Sequence, residues 1–222
     1  MFIRLLAGLA GVDMPPSPQS LADRLGLWLD WSHAIALSTA LDGKLAAADP
    51  GAPESGGAEQ KECARMRRSL ISAITDDRVL ATPRQRVGEP AGEAGLPEAV
   101  DYAGFRQRHL SLQRSMQAAT GELRGRLRDT LARKSAGMAR LAAVDAAMEA
   151  ALSPREQSLL AHVPGLLGEH FERLQQAAQK AASISPDAWL EVFRKDRQSV
   201  LLAELDVRFQ PVEGLLAALR TC

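Results

Sequence analysis

Cysteine is nearly absent from this 222-residue chain, with Cys63 and Cys222 the whole complement. Two thiols so far apart build neither a disulfide framework nor a thiolate metal site, and a cytoplasmic protein with two free thiols is expected. Aromatic side chains are scarce too, 4% of residues against 46% for hydrophobic residues as a whole. The core must therefore be filled mainly by Leu, Ala, Val, Ile and Met, as packed helices are. Net charge is missing as well. The 27 Lys and Arg residues balance 27 Asp and Glu residues, so no global field steers the chain towards nucleic acid or an anionic membrane. No run shows the period-two alternation of a strand.

A membrane span is lacking. The most apolar stretch, "LGLWLDWSHAIALSTAL" at 25–41, carries Asp30 and His33 near its middle. An Asp at that depth costs about 2.5–3.5 kcal/mol, and the stretch is at the short limit for a span. The opening "MFIRLLAGLAGVDMPPS" has Arg4 before an apolar run, but Asp13 and a Pro pair stand where a small-residue cleavage site belongs. It reads as a short docking helix rather than a signal peptide.

What the chain does have is helix punctuation. Ser17 and Pro18 offer a cap and first helical position for a helix at 18–41, stopped by Gly43. Residues 46–60, small, polar and broken by Pro and Gly, read as a flexible linker. A helix at about 60–75 places Cys63, Met66, Leu70 and Ile74 on one face. A loop at 82–97 follows, and Pro97 opens the longest helical pattern, to about Lys134. A helix at 137–152 comes next, then "SPRE" at 153–156 as a capping box starting another, which Pro164-Gly165 should kink or break before it resumes to about 182. Ser185 and Pro186 start a last helix, interrupted at Pro211. The expected fold is all-α, a helical bundle with long coiled-coil-like antiparallel helices. Residues 1–45 form a helical segment packing on it, 46–60 the linker, and 61–222 the bundle itself with its loop at 82–97.

On a helix at 18–41, Leu21, Leu25, Trp28, Leu29, Ile35 and Ala36 share one stripe, an ordinary core face. The opposite side carries Leu27, Ala34, Leu37 and Leu41, broken only by Asp23, Asp30 and His33. A helix apolar nearly all round is central in its bundle or covered by a partner. Leu27, Trp31, Leu37 and Leu41 are therefore the candidate partner-binding residues. Asp30, Ser32 and His33 do not make a catalytic triad, because Ser32 projects about 100° away from His33 around the axis. Asp30 and His33, at i and i+3, can pair locally.

Other chemistry is sparse. His162 and His170 are eight apart across a Pro-Gly break, whereas a zincin helix needs two His four apart. No Gly-rich phosphate loop, nucleophile elbow or Cys cluster is present. No catalytic residue, metal or cofactor is assigned, and an enzyme is not expected.

The neutral total conceals a pattern. Residues 1–60 carry a net charge of −4, residues 61–140 of +7 and residues 141–222 of −3. In the long middle helix Phe105, His109, Leu112, Met116, Ala119 and Leu123 follow the 4-3 spacing of a coiled-coil seam, continued by Leu127 and Leu131. Arg106, Arg114, Arg124 and Arg128 flank it on one side. Their stems can cover the apolar edges while their charges pair with the acidic regions. Alternatively they form a basic ridge for an acidic protein or a phosphate backbone, although recognised nucleic-acid motifs and interleaved aromatics are lacking. His109 at the seam is expected to be a satisfied core histidine, or a polar residue that sets register.

The stretches "SLADRLGLWLDWSHAIALSTAL", "FRQRHLSLQRSM" and "LAAVDAAMEAALSPREQSLLAHVPGLLGEHFERL" resemble an uncharacterised family of all-helical proteins in Burkholderia- and Xanthomonas-like bacteria. That family sits in gene clusters with proton-channel-like and OmpA-like proteins. The resemblance implies a soluble accessory of an envelope or motor-like complex. The reading is a non-enzymatic interaction or scaffold protein with a protein partner or a second copy of itself. The alternative is a nucleic-acid-binding regulator.

Overall fold

The structure, a computed structural model, describes residues 2–13, 20–42, 56–76, 101–180 and 188–221. Those residues form eight α-helices and no strand: α1 (Phe2–Ala10), α2 (Leu21–Trp28), α3 (Trp31–Asp42), α4 (Gly56–Thr75), α5 (Tyr102–Lys134), α6 (Ala136–Leu160), α7 (Val163–Lys180) and α8 (Ala188–Arg220). The fold is all-α. The expected caps at Ser17 and Ser185, the stop at Gly43, the loop at 82–97 and most of the linker lie outside the described residues. The linker's last residues do not: α4 begins at Gly56, earlier than its Gly pair suggests.

The centre of the molecule is α5 against α8. The seam of α5 is buried as the spacing predicts, with Phe105, His109, Leu112, Met116, Leu123, Leu127 and Leu131 all at or below 3% exposure. On α8, Phe193, Val200, Leu201, Leu205, Phe209, Val212, Leu215 and Leu219 recur at three- and four-residue steps and face it. α4 covers one end of this pair with Cys63, Leu70 and Ile74. α7 covers the other with Val163, Leu167 and Phe171, and α1 lays Phe2, Leu5, Leu6 and Leu9 onto that end. α1 thus packs against α7 and α8. It ends where Gly11 takes φ 65° and Val12 donates to the Ala7 carbonyl, a left-handed stop that glycine adopts without strain. Arg173 of α7 donates to the Leu9 carbonyl and ties that end down.

α6 folds back along α5 from Ser135, whose hydroxyl accepts from the Met138 amide. Contrary to the sequence reading, α6 does not stop at 152. It runs through Ser153 and Pro154 to Leu160, because Glu156 is engaged in a 3.1 Å contact with Arg208 of α8 rather than in a capping box. The break comes at Ala161-His162, with Pro164 in the first turn of α7, where its missing N–H costs nothing. Pro211 likewise fails to interrupt α8. Val212, Leu215 and Leu219 beyond it are buried as deeply as Leu205 and Phe209 before it. Burying those three side chains is worth more than the roughly 3 kcal/mol a proline costs a helix interior.

Among the described residues glycine is required once for packing. A side chain at Gly168 of α7 would meet the Tyr102 ring at 2.9 Å. With none there, Tyr102 lies against α7, its hydroxyl donating to the Pro164 carbonyl and its ring beside Phe171 and Phe193.

Because the apolar face of α8 is continuous across the proline, Pro211→Ala should restore the missing helix hydrogen bond without disturbing the core. A gain of about 1–2 kcal/mol is expected after allowing for the greater freedom of the unfolded chain. It is read as a higher urea midpoint at unchanged slope, and a lower midpoint would contradict this account of α8.

Candidate functional site

The expected single helix at 18–41 is two helices. Leu29 and Asp30 are out of helix, and Asp30 caps α3: its Oδ1 accepts from the His33 amide at 2.9 Å and from the Ser32 hydroxyl at 2.6 Å. The His33 ring Nδ1 stands 2.8 Å from the same oxygen, the local pair anticipated from the spacing. α2 has its own capping box, in which Ser20 accepts from the Asp23 amide and Asp23 accepts from Ser20. The aspartate itself, an N-cap residue type set inside an apolar stretch, was the sign of the break that the sequence carried.

That break turns the segment into an arm laid along α6. Trp28 is half-buried, with the Arg155 guanidinium of α6 4.9 Å above its ring. On α3 the half-buried positions are His33, Leu37 and Ala40, one helical face, and α3 packs against α6. No residue of α3 is fully buried.

Of the four candidate partner-binding residues, the arm brings three to the surface. Leu27 is 73% exposed, Trp31 81% and Leu41 56%. Leu37 is on the packed side instead. Ile35, assigned to the core stripe by the sequence, is 52% exposed beside Trp31, one turn on. The expected core stripe is thus corrected: the kink at Asp30 rotates α3, so that Ile35 and Ala36 face outwards.

The candidate basic ridge divides. Arg106 and Arg114 are exposed. Arg124 and Arg128 sit in the α5–α6 seam, where Arg124 meets Asp145 at 2.7 Å and Glu149 at 3.3 Å, and Arg128 meets Asp145 at 3.1 Å and also Glu149. Elsewhere Arg126 reaches Glu62 of α4 at 3.2 Å and Arg67 reaches Asp206 of α8 at 2.6 Å. Arg67, Arg124, Arg126 and Arg128 of the basic middle region are thus used in joining helices.

The densest polar centre was not foreseen. Glu204 of α8 has no exposed surface. Its Oε1 accepts from Arg208 Nε at 2.9 Å and Nη2 at 2.8 Å, and its Oε2 from Gln113 Nε2 at 3.0 Å. Gln113 also donates to the Leu160 carbonyl at 3.2 Å, and Arg208 to Glu156 at 3.1 Å. One carboxylate thereby links α5, α8 and the end of α6. The i,i+4 pair Glu204–Arg208 inside an apolar seam was its signal in the sequence. Burial pushes the Glu204 carboxyl up, against the pull of Gln113 and Arg208. His109 is also fully enclosed, with Nε2 3.9 Å from Glu204 Oε2, too far for a direct bond. Neither ring nitrogen has a hydrogen-bond partner among the described residues, so the expectation of a satisfied histidine is corrected. Burial, helped by the Arg197 charge, lowers its pKa to about 3.

A cavity of about 160 Å³ between α5, α6 and α8 is lined by Thr120, Arg124, Glu149, Ser153, Glu156 and Arg208 among others. Its four charged groups are those of the ion pairs just described. His162 Nδ1 lies 2.8 Å from the Ser158 carbonyl, and His170 Nε2 lies 2.8 Å from Asp196. The described residues contain no group of three or more His, Cys, Asp or Glu placed to hold a metal, and no helix among them is long and apolar enough to cross a membrane.

Comparison with known proteins bears on the whole chain. The model of the family described as "Protein of unknown function (DUF3348)" matches residues 1–221. The chain belongs to the DUF3348 family. No curated protein and no solved structure matches it significantly. In this DUF3348 chain, therefore, the functional reading rests on the surface and the polar centre themselves.

Two measurements check the electrostatics. His109 is neutral in the fold down to about pH 3 but takes up a proton near pH 6.5 when unfolded, so stability is intact above pH 6.5 and falls below it. The loss attributable to this ring is about 1.4 kcal/mol per pH unit until its folded pKa is reached. Because the raised Glu204 carboxyl acts in the opposite direction, the contribution is read as the difference between wild type and His109→Leu across pH 7 to 5. Parallel curves would refute it. Arg124→Ala combined with Arg128→Ala, which strands Asp145 at 15% exposure, should destabilise the fold by about 2–4 kcal/mol in urea titrations. An unchanged midpoint would mean these arginines are free surface charges.

Proposed function

We propose that this protein is a non-enzymatic interaction or scaffold protein whose α2–α3 arm is its protein-binding surface. The observation that carries the reading is the exposure of Leu27, Trp31, Ile35 and Leu41 together on one arm, while Arg124, Arg128 and Gln113 are engaged in joining helices. Exposed apolar patches of this kind mark interaction sites, and Trp is the residue type most enriched at binding hot spots. A bundle held rigid by buried ion pairs suits a scaffold, since the surface it displays keeps one shape. The bacterial family resemblance and its genomic company support a cytoplasmic accessory of an envelope or motor-like complex. The coiled-coil-like pairing of α5 with its neighbours supplies its length. Nucleic-acid binding is less well supported, because Arg124 and Arg128 already have carboxylate partners and would release no counterions.

A photo-crosslinking residue at position 31 should capture a discrete protein in the native cell, and the same residue at exposed position 114 should not. Leu27→Glu should abolish the capture while leaving unfolding unchanged within about 0.5 kcal/mol. Leu37→Glu, on the packed side, should loosen the arm from α6 and lower stability. Equal labelling from positions 31 and 114, or none from 31, would remove the reading.

A further inference from the structure

The cavity between α5, α6 and α8 is walled by charges of both signs, and a glycine keeps it open. We propose that it binds a small zwitterion, an α-amino acid with a short polar side chain. Binding there is separate from anything the arm does.

Gly121 stands in the interior of α5 and lines the cavity. A Cβ built on it meets nothing within 4 Å, so packing does not demand glycine there. Its backbone is helical, and glycine weakens a helix interior. What the missing side chain preserves is the open space. On the α8 wall, Val207 and Pro211 supply a second feature. Proline has no N–H, so the Val207 carbonyl lacks the helix donor four residues on. The gap in the ladder stands at the cavity wall, where an acceptor is left for a donor from outside the helix.

The charged walls are matched, Arg124 and Arg208 against Glu149 and Glu156. Arg208 donates through three N–H groups, two to Glu204 and one to Glu156, and Arg124 through two, both to Asp145. A guanidinium has more donors than that, so both keep N–H groups for a ligand carboxylate. Glu156 accepts Arg208 through Oε1, which leaves its Oε2 and the Val207 carbonyl as acceptors for an ammonium.

Size and charge balance exclude other occupants. At about 160 Å³ the cavity is well below the roughly 300–1,000 Å³ of sites that hold drug-sized ligands, so a nucleotide or large cofactor does not fit. A ligand of net charge would leave one wall group unmatched in a partly buried site. A metal ion finds no group of three or more ligands among the described residues. A zwitterion meets both signs at once, its carboxylate on the arginines and its ammonium on Glu156 and the Val207 carbonyl.

Four molecules of nearly equal shape make the test. L-serine carries both charges, serinol only the ammonium, glycerate only the carboxylate, and glycerol neither. Labelled L-serine is dialysed to equilibrium against the full-length protein, and the other three compete with it. L-serine should bind saturably with Kd below about 1 mM. Each of the others should compete at least about tenfold less well, since each lacks a charge-assisted contact. Gly121→Met, whose flexible side chain fills the cavity, should abolish binding. Gly125→Met, one turn on and equally open but outside the lining, should leave the affinity within about twofold. Pro211→Ala, which returns a donor to the Val207 carbonyl, should weaken binding about fivefold. No saturable binding of L-serine at about 1 mM, competition by glycerol equal to that of L-serine, or binding that survives Gly121→Met would each overturn the proposal. Should Gly121→Met fail to fold, Pro211→Ala decides, and unchanged affinity there overturns it as well.

Discussion

A carboxylate with no access to water governs this fold. Glu204 cannot be left unpaired, because a lone buried charge costs several kcal/mol, so the chain must bring Arg208 and Gln113 to it. Arg208 lies on the next turn of α8 and comes with the helix. Gln113 arrives only if α5 lies against α8 in one register. An apolar seam of Leu, Val and Met tolerates sliding by a turn, since one leucine resembles another. The Glu204–Gln113 bond does not. The buried polar centre therefore supplies register to a core whose scarce aromatics supply few distinctive shapes. Gln113 also fixes where α6 ends, through the Leu160 carbonyl, and Glu156 ties the same helix to Arg208.

Once that centre and the α5–α6 ion pairs are made, most of the charge on the inner faces is used. Among the described residues five arginines, Arg67, Arg124, Arg126, Arg128 and Arg208, contact carboxylates on other helices. This accounts for the segmental charge pattern: a positive middle region lies against a negative final third, and the opposite signs meet in the interior seams. The arm is built differently. It contributes no fully buried residue on α3, and it is held by half-buried contacts to α6 and by a cation over Trp28. Its loss would remove little from the core, which is what separates a surface that can serve a partner from one that holds the molecule together.

The periodic parts of this architecture were legible from residues alone. Every apolar seam position of α5 that spacing singles out is buried or nearly so, and α4 buries the Cys63, Leu70 and Ile74 face. What local rules misread were the interruptions. Pro154 was read as starting a helix and Pro211 as interrupting one, yet both sit inside helices, because packing beyond the proline outweighs the missing hydrogen bond. Conversely, the apolar stretch at 25–41 contains no proline and reads as continuous, but Asp30 can satisfy the His33 amide and so ends one helix and begins another. Periodicity on a presumed unbroken helix then put Ile35 inside and Leu37 outside, and the kink exchanged them. The network around Glu204 was missed for another reason. The Glu204–Arg208 pair is local, but Gln113 lies 91 residues from Glu204, and no local pattern reports a pairing made only by the fold.

The distribution of rings gives the arm its weight. The chain has nine aromatic residues. Four phenylalanines are buried, at Phe105, Phe171, Phe193 and Phe209, and the remaining rings, except one, are at least half-covered. A chain so poor in aromatic area gains most by burying what it has, since each large ring removes 150–250 Å² or so from water. Trp31 is 81% exposed. Its neighbours in the exposed row are Leu27 and Ile35, and the nearest carboxylate, Asp30, already caps a helix and holds Ser32. Nothing in the local structure needs an indole there: a Lys or Gln at position 31 would propagate α3 equally well and cost less in water. The exposed ring is therefore unexplained by folding among the described residues, and a partner seated on the arm, as proposed above, would account for it.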